Sequence, residues 1–255
     1  MKISIIVATY NAASYLERLI ESVNIQNSDN LELIIIDGGS KDDTVNLIKK
    51  HLEKVSFWIS EPDKGIYDAW NKGVVASSGD WIMFLGADDQ LLPGAIEKYL
   101  GFMSKLPSID QVDYISSRMK MVDLTGHSIR VKGWPWEWPL FLKDMTVAHP
   151  GSLHSKRLFD QYGLFDISYK ITGDYELLLR PQEKLKAVFF DEITVLMQEG
   201  GASDSLKALL EHERAAVQTG GASATSARLN VYKISLKFRV KAILRKMGFN
   251  AYLKK

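Results

Sequence analysis

The chain lacks two features that would assign it to a special class of protein. None of its 255 residues is cysteine, which excludes disulfide bonds and thiolate metal ligands and fits a reducing compartment. It also has no apolar run near the 18 residues that a membrane-spanning helix requires. Apolar residues make up 46% of the chain, enough for a sizeable core. We therefore expect one large α/β domain, with or without an appendage.

The net charge is also small, at +1, but it is unevenly distributed. Residues 228–255 hold nine lysines or arginines and no acidic residue, so the rest of the chain carries −8. Over 228–249 the helical spacing predicts a basic amphipathic helix on an anionic membrane surface, or one folded back onto the acidic domain. We expect no nucleic-acid partner, because no recognition motif is present. The apolar stripe of this helix is Tyr232, Leu236, Val240, Ile243, Leu244 and Met247.

The first part of the chain alternates between buried strands and helices. Right-handed crossovers between such strands produce a parallel sheet, and the loops that follow the strands lie on one edge of it. Ligands of open α/β sheets bind at that edge. Strands are predicted at 3–8, 31–36, 57–60 and 81–85, with helices at 15–25 and 43–53 and a further helix that ends near 77.

Polar residues follow each of these strands, at Thr9–Asn11, Asp37, Asp63 and the adjacent Asp88 and Asp89. Asp37 is a candidate partner for a nucleobase or ribose, and the alternative is a cap on its Gly-Gly-Ser turn. The two adjacent carboxylates would repel by roughly 4 kcal/mol at about 4 Å. A cation such as Mg²⁺ would relieve this repulsion, and the alternative is a turn in which one aspartate caps the next helix.

The second part of the chain is predicted to add strands and helices to this sheet. A helix is expected at 95–106, a hairpin-like pair at 114–121 and 126–131, and closing strands at 188–190 and 193–196. The alternating Trp and Pro of 134–139 cannot form a helix, and we favour an irregular piece of core over a sugar-stacking or bilayer-facing surface. The glycine-rich residues 199–203 are expected to form either a lid near the predicted ligand-binding edge or a linker to a helix at about 204–217.

Three runs of sequence together resemble the family 2 glycosyltransferases, which have the GT-A fold. They are Ile5–Asn11, Ile35–Ser40 with Asp43-Thr44, and Phe84–Asp89. The run Asp63–Ala69 resembles sequences of the branch of this family that acts on bacterial surface polysaccharides. The whole resemblance covers about residues 1–200. It implies an α/β fold with a Rossmann-like, mostly parallel sheet flanked by helices. Residues 1–92 would be the nucleotide-sugar-binding half, 93–200 the acceptor half and 201–255 a helical extension.

The resemblance assigns roles in the first half residue by residue. Thr9, Tyr10 and Asn11 would line the nucleotide pocket, and Asp37 would hydrogen-bond the base, usually uracil. Many relatives have aspartate where this chain has Gly86. The metal motif is therefore shortened to Ala-Asp-Asp, while the later carboxylates, which usually contact the metal, are kept. The other implied residues are Asp63 and Lys64 near the base or diphosphate, Asp88 at the metal-diphosphate, and Asp88 with Asp89 as ligands of Mg²⁺ or Mn²⁺.

The resemblance extends to the acceptor half through a His-containing strand, a Gly-x-Phe-Asp turn and an Asp-Tyr-x-Leu helix. Asp174 opens that helix and would be the general base, with a helix N-cap as the alternative. His149 would contact the diphosphate or shape the acceptor pocket, unless it is a structural residue. Arg180 would pair with phosphate, or else with Glu183 at the surface.

The sequence is therefore predicted to encode an inverting glycosyltransferase. Its donor would be a nucleotide-diphosphate sugar, by preference a UDP-sugar, and its acceptor a glycan or an undecaprenyl-linked oligosaccharide. The expected setting is O-antigen, capsule or exopolysaccharide assembly, in the cytoplasm at the inner face of the cell membrane. One alternative is a catalytically degenerate membrane scaffold that binds nucleotide. A sugar-nucleotide nucleotidyltransferase is less well supported, because Thr9–Ala13 is not the basic glycine-rich loop that it needs.

Overall fold

A computed structural model describes residues 1–26, 28–123, 125–200 and 205–246, and nine strands of this part form one sheet. Right-handed helices and short 3₁₀ turns connect them. The strands are β1 (Ile3–Thr9), β2 (Leu31–Asp37), β3 (Phe57–Ser60), β4 (Trp81–Gly86), β5 (Gln90–Leu91), β6 (Tyr114–Val122), β7 (Ser128–Lys132), β8 (Ala148–Ser155) and β9 (Ala187–Gln198). The helices are α1 (Ala13–Asn24), α2 (Thr44–Lys50), α3 (Ile66–Ala76), α4 (Ala95–Met103), α5 (Trp138–Phe141), α6 (Lys156–Tyr162), α7 (Gly173–Leu179), α8 (Leu206–Gln218) and α9 (Ala224–Lys246).

The strands lie in the order β3-β2-β1-β4-β8-β6-β9-β5, and β7 pairs with the outer part of β6. From β3 to β4 every pair is parallel, as the alternation of strands and helices predicts. The register aligns Thr9 with Asp37, Asp37 with Ser60 and Ala8 with Gly86. The loops after these four strands therefore meet at one edge, as expected.

Beyond β4 the sheet becomes mixed. Strand β8 is antiparallel to both β4 and β6, β9 is parallel to β6, and the two-residue β5 is antiparallel to β9. The predicted hairpin is present as β6 and β7. Strands 188–190 and 193–196 belong to the single strand β9, which passes along β6 with two shifts of register. The prediction of an α/β fold is confirmed.

Two apolar clusters cover the two faces of the sheet. One packs α1 and α4 against the sheet through residues such as Leu16, Ile20 and Tyr99. The other packs α3, α6 and α7 on the opposite face. Helix α8 and the start of α9 also contribute to the second cluster, through Ala215, Ala216 and Ala227. Helix α8 and the start of α9 are thus packed onto the same face that carries α3 and α7.

The Trp-Pro stretch is partly core, in line with the favoured interpretation. Trp136 packs on Phe141 with ring centroids 4.2 Å apart, and Trp134 is exposed. The expectation that this stretch contains no helix was wrong at its end, because α5 begins at Trp138 with a proline in its first turn. Proline fits there since the first amide groups of a helix lack a partner within it.

Helix α9 has apolar residues on two opposite sides. Ala227 and Val231 are buried, whereas Leu229, Tyr232, Leu236 and Val240 are exposed along one stripe. At 100° per residue the exposed stripe lies opposite the buried pair. The rest of the predicted stripe, namely the side chains of Ile243 and Leu244 with Met247, and the glycine-rich residues 201–203 lie outside the described part. No helix of the described residues has the length and apolar character to cross a membrane.

Candidate active site

The loops after the first three strands are tied together by one buried carboxylate. Asp37 is 0% exposed, and it accepts hydrogen bonds from the hydroxyl groups of Thr9, Ser40 and Ser60. It also accepts the backbone amides of Gly39 and Ser40, at 3.1 and 3.0 Å. Five donors from three segments therefore converge on a single side chain.

These donors decide the charge state of Asp37. Burial raises its pKa, but the hydrogen bonds from Ser40, Ser60 and Thr9 outweigh burial and hold the pKa below its usual value. Asp37 is thus ionised and caps its own Gly-Gly-Ser turn, which is the alternative considered from the sequence. The carboxylate uses both oxygens within the protein in this conformation. A contact with a nucleobase stays a prediction.

The residues after β1 combine one locked side chain with one open side chain. Asn11 has a positive φ of 48°, a conformation that asparagine tolerates better than most residues. The side-chain oxygen of Asn11 accepts a hydrogen bond from the backbone amide of Lys41 at 2.8 Å. The backbone amide of Asn11 donates to Ser40 Oγ, also at 2.8 Å. Tyr10 is 65% exposed at the edge of the sheet. The loop is therefore rigid, and it presents an aromatic ring to the solvent.

The loop after β3 lies against this first group and reaches toward the second half. Asp63 accepts the amide of Gly65 at 2.8 Å, and its other oxygen lies so near Gly38 that a Cβ there would be 2.5 Å away. The side chain of Lys64 is exposed, and its carbonyl oxygen accepts Lys170 Nζ at 2.7 Å. Asp63 and Lys64 thus lie where the two halves of the chain meet.

The adjacent carboxylates after β4 differ in their surroundings. Asp88 is exposed, whereas Asp89 is 4% exposed and accepts the Gly86 amide at 2.7 Å. Burial and then the neighbouring charge of Asp88 raise the pKa of Asp89 to about 8, although the Gly86 amide opposes this shift. Without a counter-charge, Asp89 is therefore mostly protonated at neutral pH.

Glycine at position 86 is explained by how closely these carboxylates approach it. A Cβ at Gly86 would lie 2.8 Å from Asp88 Oδ1 and 3.2 Å from Asp89 Oδ2. A larger residue would require the exposed Asp88 side chain to turn away and the Asp89 carboxylate to shift by a few tenths of an ångström. The shortened motif thus comes with a local arrangement in which the two carboxylates fold back over the end of β4.

The pair fits a hard divalent cation. Mg²⁺ takes one or two carboxylates and completes its shell with water and phosphate oxygens, and Mn²⁺ prefers similar oxygen ligands. A cation between Asp88 and Asp89 would remove the repulsion that raises the pKa of Asp89. Within the described residues there is no group of three or more His, Cys, Asp or Glu side chains that could hold a metal by themselves. The remaining ligands would therefore come from the substrate and water.

Asp174 lies in the first turn of α7, and residues from two other elements surround it. The hydroxyl of Tyr67, from α3, lies 2.7 Å from the Ile171 carbonyl oxygen and 3.0 Å from Asp174 Oδ1, so its one hydrogen is shared between these two acceptors. His149 Nδ1, from β8, is 3.9 Å from Asp174 Oδ2. The Asp174 side chain keeps 20% of its surface exposed. It is accessible from solvent but held among groups of low polarity.

The environment of Asp174 favours its protonated form. Burial raises its pKa to about 6, although the Tyr175 amide and the Tyr67 hydroxyl act in the opposite direction. Among the described carboxyl groups with a resolved shift, Asp89 and Asp174 have a raised pKa and the others a lowered one. Raised carboxyl pKa values cluster at functional sites, and both of these residues follow from the sequence analysis.

His149 forms a neutral wall beside Asp174. Its ring stacks on Trp70 and Phe84, with centroids 5.2 and 5.6 Å away, and burial lowers its pKa to about 3. A neutral imidazole does not form an ion pair with Asp174 at 3.9 Å. Its Nε2 has no hydrogen-bond partner among the described residues. His149 is therefore a buried neutral ring packed beside Asp174, and its contact with diphosphate and its role in an acceptor pocket both stay predictions.

Phe84 also links the two carboxylate sites. It lies in β4, two residues before Gly86, and its ring packs on His149. The strand that carries Asp88 and Asp89 at its end thus contributes to the wall beside Asp174. The acidic pair and the candidate base belong to the same edge of the sheet.

Arg180 does not have the surface partner considered from the sequence. Its guanidinium pairs with Glu176, with Nη2 2.6 Å from Oε2, and not with Glu183. Nη1 donates to the carbonyl groups of Tyr162 and Leu164, at 2.7 and 2.8 Å. Residues i and i+4 face each other on a helix, which explains why Glu176 is preferred. Because its donors bind these groups, Arg180 holds the turn after α6, and its pairing with phosphate stays a prediction.

Tyr67 is the site residue that the sequence analysis did not identify. It lies in the Asp63–Ala69 run, but its partner Asp174 is 107 residues away in the chain. Gly173 gives a related signal, because a Cβ there would lie 2.8–3.0 Å from the Tyr67 ring. A glycine before a candidate base indicates such close packing, but it does not reveal which ring lies against it.

Comparison with known sequences gives consistent matches. The profile of the family described as Glycosyl transferase family 2 matches residues 4–155, more than half of the chain. An uncharacterized glycosyltransferase of Rickettsia typhi is 29% identical over 197 residues, which cover 74% of this chain and 61% of that protein. A PGL/p-HBAD biosynthesis glycosyltransferase of Mycobacterium bovis is 28% identical over 181 residues, 69% of this chain and 68% of the relative. The chain thus spans about two thirds or less of the length of these relatives.

Comparison with solved structures shows a shared fold. S. aureus TarS (residues 1–349) in complex with UDP-GlcNAc superposes with a TM-score of 0.68 at 15% identity, over 91% of this chain and 70% of that one. The mannosyltransferase PcManGT of Pyrobaculum calidifontis, in complex with GDP-Man and Mn²⁺, gives a TM-score of 0.64 at 14% identity, over 98% and 76%. At these identities the likeness concerns the fold alone.

Proposed function

The chain belongs to glycosyl transferase family 2, and we propose that it transfers a sugar with inversion from a nucleotide-diphosphate sugar to a hydroxyl group of a glycan or undecaprenyl-linked acceptor. The observation that carries this proposal is the environment of Asp174. This carboxyl group is 20% exposed and has its pKa raised to about 6. It lies at the sheet edge that also holds the acidic pair. A general base works best when its pKa is near the working pH.

Asp174 would act on the acceptor hydroxyl. At pH 7 a group of pKa about 6 is mostly ionised, roughly ten to one, and can accept the proton as the hydroxyl oxygen attacks the anomeric carbon. The Tyr67 hydroxyl fixes one oxygen of this carboxylate. His149 and its stacked aromatic neighbours keep water from one side of Asp174. One carboxylate suffices for inversion, because the leaving group is a diphosphate rather than a sugar hydroxyl.

The donor would lie along the loops after β1 to β4. The exposed ring of Tyr10 is available for stacking on a base, and Asn11 keeps that loop in position. Asp63 and Lys64 would lie near the base or the diphosphate, with Thr9 and Asp37 beneath them. A divalent cation bound by Asp88 and Asp89 would offset the charge that develops on the departing nucleoside diphosphate.

The identity of the donor nucleotide, the need for a metal and the pathway are inferred from relatives and stay a proposal. TarS is described with UDP-GlcNAc and PcManGT with GDP-Man and Mn²⁺, which supports a UDP- or GDP-sugar donor and a metal here. The Mycobacterium bovis relative is named for PGL/p-HBAD biosynthesis. We propose a surface glycan pathway, of the O-antigen, capsule or exopolysaccharide class. The degenerate-scaffold alternative predicts nucleotide binding without turnover.

A thermal-shift panel of UDP, GDP, CDP and dTDP, each with Mn²⁺ or with EDTA, tests the donor assignment. A ligand at one hundred times its dissociation constant stabilises the folded state by about 2.7 kcal/mol. We expect one nucleotide to raise the melting temperature and EDTA to abolish the rise. Release of that nucleoside diphosphate from its sugar donor separates an enzyme from a scaffold. The absence of any shift, with no release, would contradict the proposal.

We also propose that α9 contacts an anionic membrane surface. The exposed stripe of Leu229, Tyr232, Leu236 and Val240 lies in the segment that carries nine cationic residues, and each cation near such a surface contributes about 1 kcal/mol. The double variant Tyr232→Ser/Leu236→Ser should release the protein from phosphatidylglycerol vesicles in a flotation assay. Leu210→Ser, at an exposed apolar residue of α8, is the control and should not. If the double variant bound the vesicles as well as Leu210→Ser does, the proposal that the exposed stripe of α9 faces the membrane would be contradicted.

A further inference from the structure

The segment that leads into Asp174 is held from both sides. On one side the Tyr67 hydroxyl donates to the Ile171 carbonyl, and the Tyr67 ring packs against Gly173 so closely that only a glycine fits. On the other side lies α8, a helix of the region after residue 205. The backbone from 170 to 173 therefore runs between α3 and α8, immediately before Asp174.

The backbone amides of this segment that meet α8 all donate to a single carboxylate. Glu211 Oε2 accepts the amides of Ile171 and Thr172, at 2.8 and 3.1 Å, and both its oxygens lie within 3.1 Å of the Lys170 amide. Three consecutive N–H groups thus point at one side chain. Such a row of amides concentrates positive potential, and an anion stabilises it.

Two neighbours of Glu211 on α8 hold the same segment. The His212 ring stacks on Tyr175, with centroids 4.1 Å apart and planes at 12°. The Arg214 guanidinium lies 3.6 Å from the centre of the Tyr169 ring. The segment from 168 to 175 is therefore fixed along its length by α8, and Glu211 supplies the contacts directly before the candidate base.

We propose that Glu211 is a positioning residue, which fixes Asp174 by gathering the amides of residues 170–172. This inference rests on the proposed function, because it concerns the geometry of the base. Loss of the carboxylate would leave the partly buried amides of Ile171 and Thr172 and the exposed amide of Lys170 without this acceptor, and the segment would rearrange. A displacement of about 1 Å at a catalytic group lowers turnover by about 10²-fold. Among the described residues, the backbone hydrogen bonds of Glu211 go to 170–172 and not to the donor loops after β1 to β4. The segment also meets the loop after β3 through Lys170 Nζ and the Lys64 carbonyl, and we expect this exposed contact to persist, so donor binding should not change.

The test compares Glu211→Ala with Glu213→Ala on the same helix. Glu213 pairs with Arg228 at 3.4 Å and faces α9, so its variant removes a carboxylate from α8 without touching the segment. We expect Glu211→Ala to lower kcat for release of nucleoside diphosphate from the sugar donor by about 10²-fold, with KM for the donor unchanged. Glu213→Ala should keep the kcat of the unmodified protein. Glu211→Gln, which retains one accepting oxygen, should give an intermediate kcat.

Formate provides a second test, because a free carboxylate can bind where the Glu211 carboxylate is missing in Glu211→Ala. Added formate should raise kcat of Glu211→Ala and leave Glu213→Ala unchanged. An unchanged kcat in Glu211→Ala, or an equal loss in both alanine variants, would overturn the proposal. If the purified protein neither binds nor cleaves any nucleotide sugar, the proposed function fails instead. Hydrogen exchange of the amides of 168–175 then decides on Glu211, since only Glu211→Ala should accelerate it and equal exchange would overturn the inference.

Discussion

Asp37 and Asp174 lie on the same edge of the sheet, and the protein surrounds them in opposite ways. Asp37 is fully buried and accepts five hydrogen bonds from three loops, so its pKa lies below the usual value. Asp174 keeps a fifth of its surface exposed but has fewer donors, and burial raises its pKa to about 6. Both positions place a carboxyl group out of water, and the number of donors decides the sign of the shift.

The difference separates carboxylates that hold the structure from those available for chemistry. Asp37 stabilises the folded state through its ionised form, whereas Asp174 is held partly against ionisation. Asp89 resembles Asp174, because burial and the charge of Asp88 raise its pKa to about 8. A carboxyl group that the protein holds against ionisation in this way is expected where a proton or a cation is bound during function.

The largest expected effect comes from Asp174→Asn. This variant keeps the shape of the side chain but cannot accept a proton, so turnover should fall by about 10²- to 10⁴-fold. Nucleotide affinity, measured by titration calorimetry, should stay unchanged. Asp160→Asn, at an exposed residue of α6, is the control and should keep full turnover. An active Asp174→Asn would remove Asp174 as the base.

The second prediction concerns the stability of the Asp37→Asn variant. Asparagine offers one accepting oxygen to five donors and turns an NH₂ group toward them, which should cost about 3 kcal/mol of unfolding free energy at pH 7. Because the pKa of Asp37 is lowered in the folded state, its contribution is present above about pH 4 and is lost as the pH falls further. Urea denaturation measures this loss. A cost below about 1 kcal/mol would show that the five hydrogen bonds do not determine the stability of the edge.

The third prediction is a gain of stability in Asp174→Asn. The folded-state pKa is about 6 and the ordinary value is 3.8, so the ionised carboxylate destabilises the folded state increasingly from about pH 4 to pH 6. At pH 8 the neutral asparagine should therefore raise the unfolding free energy by about 2 kcal/mol, and by at most about 3. At pH 4 the variant should match the unmodified protein. Destabilisation at pH 8 would contradict the contrast with Asp37.

The smallest effect is expected for Asp89→Ala. Removing one of the two proposed carboxylate ligands should weaken the Mn²⁺-dependent part of nucleotide binding by about tenfold, in the range seen for changes around bound metals. The measurement is the Mn²⁺ dependence of the thermal shift with the nucleotide that binds. In EDTA, where no metal is bound, the variant and the unmodified protein should bind that nucleotide equally. An unaltered response to Mn²⁺ would place the metal elsewhere.

The sequence predicted the parallel half of the fold and the edge of the sheet at which its loops meet. The alternation of strands and helices over the first 90 residues fixes the direction of each strand, and the register then brings Thr9, Asp37 and Gly86 to one level. The expectation of a GT-A fold is confirmed by the likeness to TarS and PcManGT. The adjacent carboxylates were found because such a pair directly after a buried strand is unusual.

The contacts that tune the site could not be predicted from the sequence. The hydrogen bond from Tyr67 to Asp174 and those from the amides of residues 170–172 to Glu211 join segments that are 107 and about 40 residues apart. No periodicity specifies such partners. The two-sided character of α9 was also missed, because its buried side, at Ala227 and Val231, depends on packing against α8.

The pH dependence of donor cleavage tests the central claim most directly, that Asp174 is a base with a raised pKa. The quantity to measure is kcat/KM for release of nucleoside diphosphate, at saturating Mn²⁺ between pH 4.5 and pH 8.5. We predict an acidic limb with an apparent pKa of about 6, the value that burial gives Asp174, and its absence in Asp174→Asn. A rate that is constant from pH 5 to pH 8, or a limb that persists in Asp174→Asn, would contradict the account.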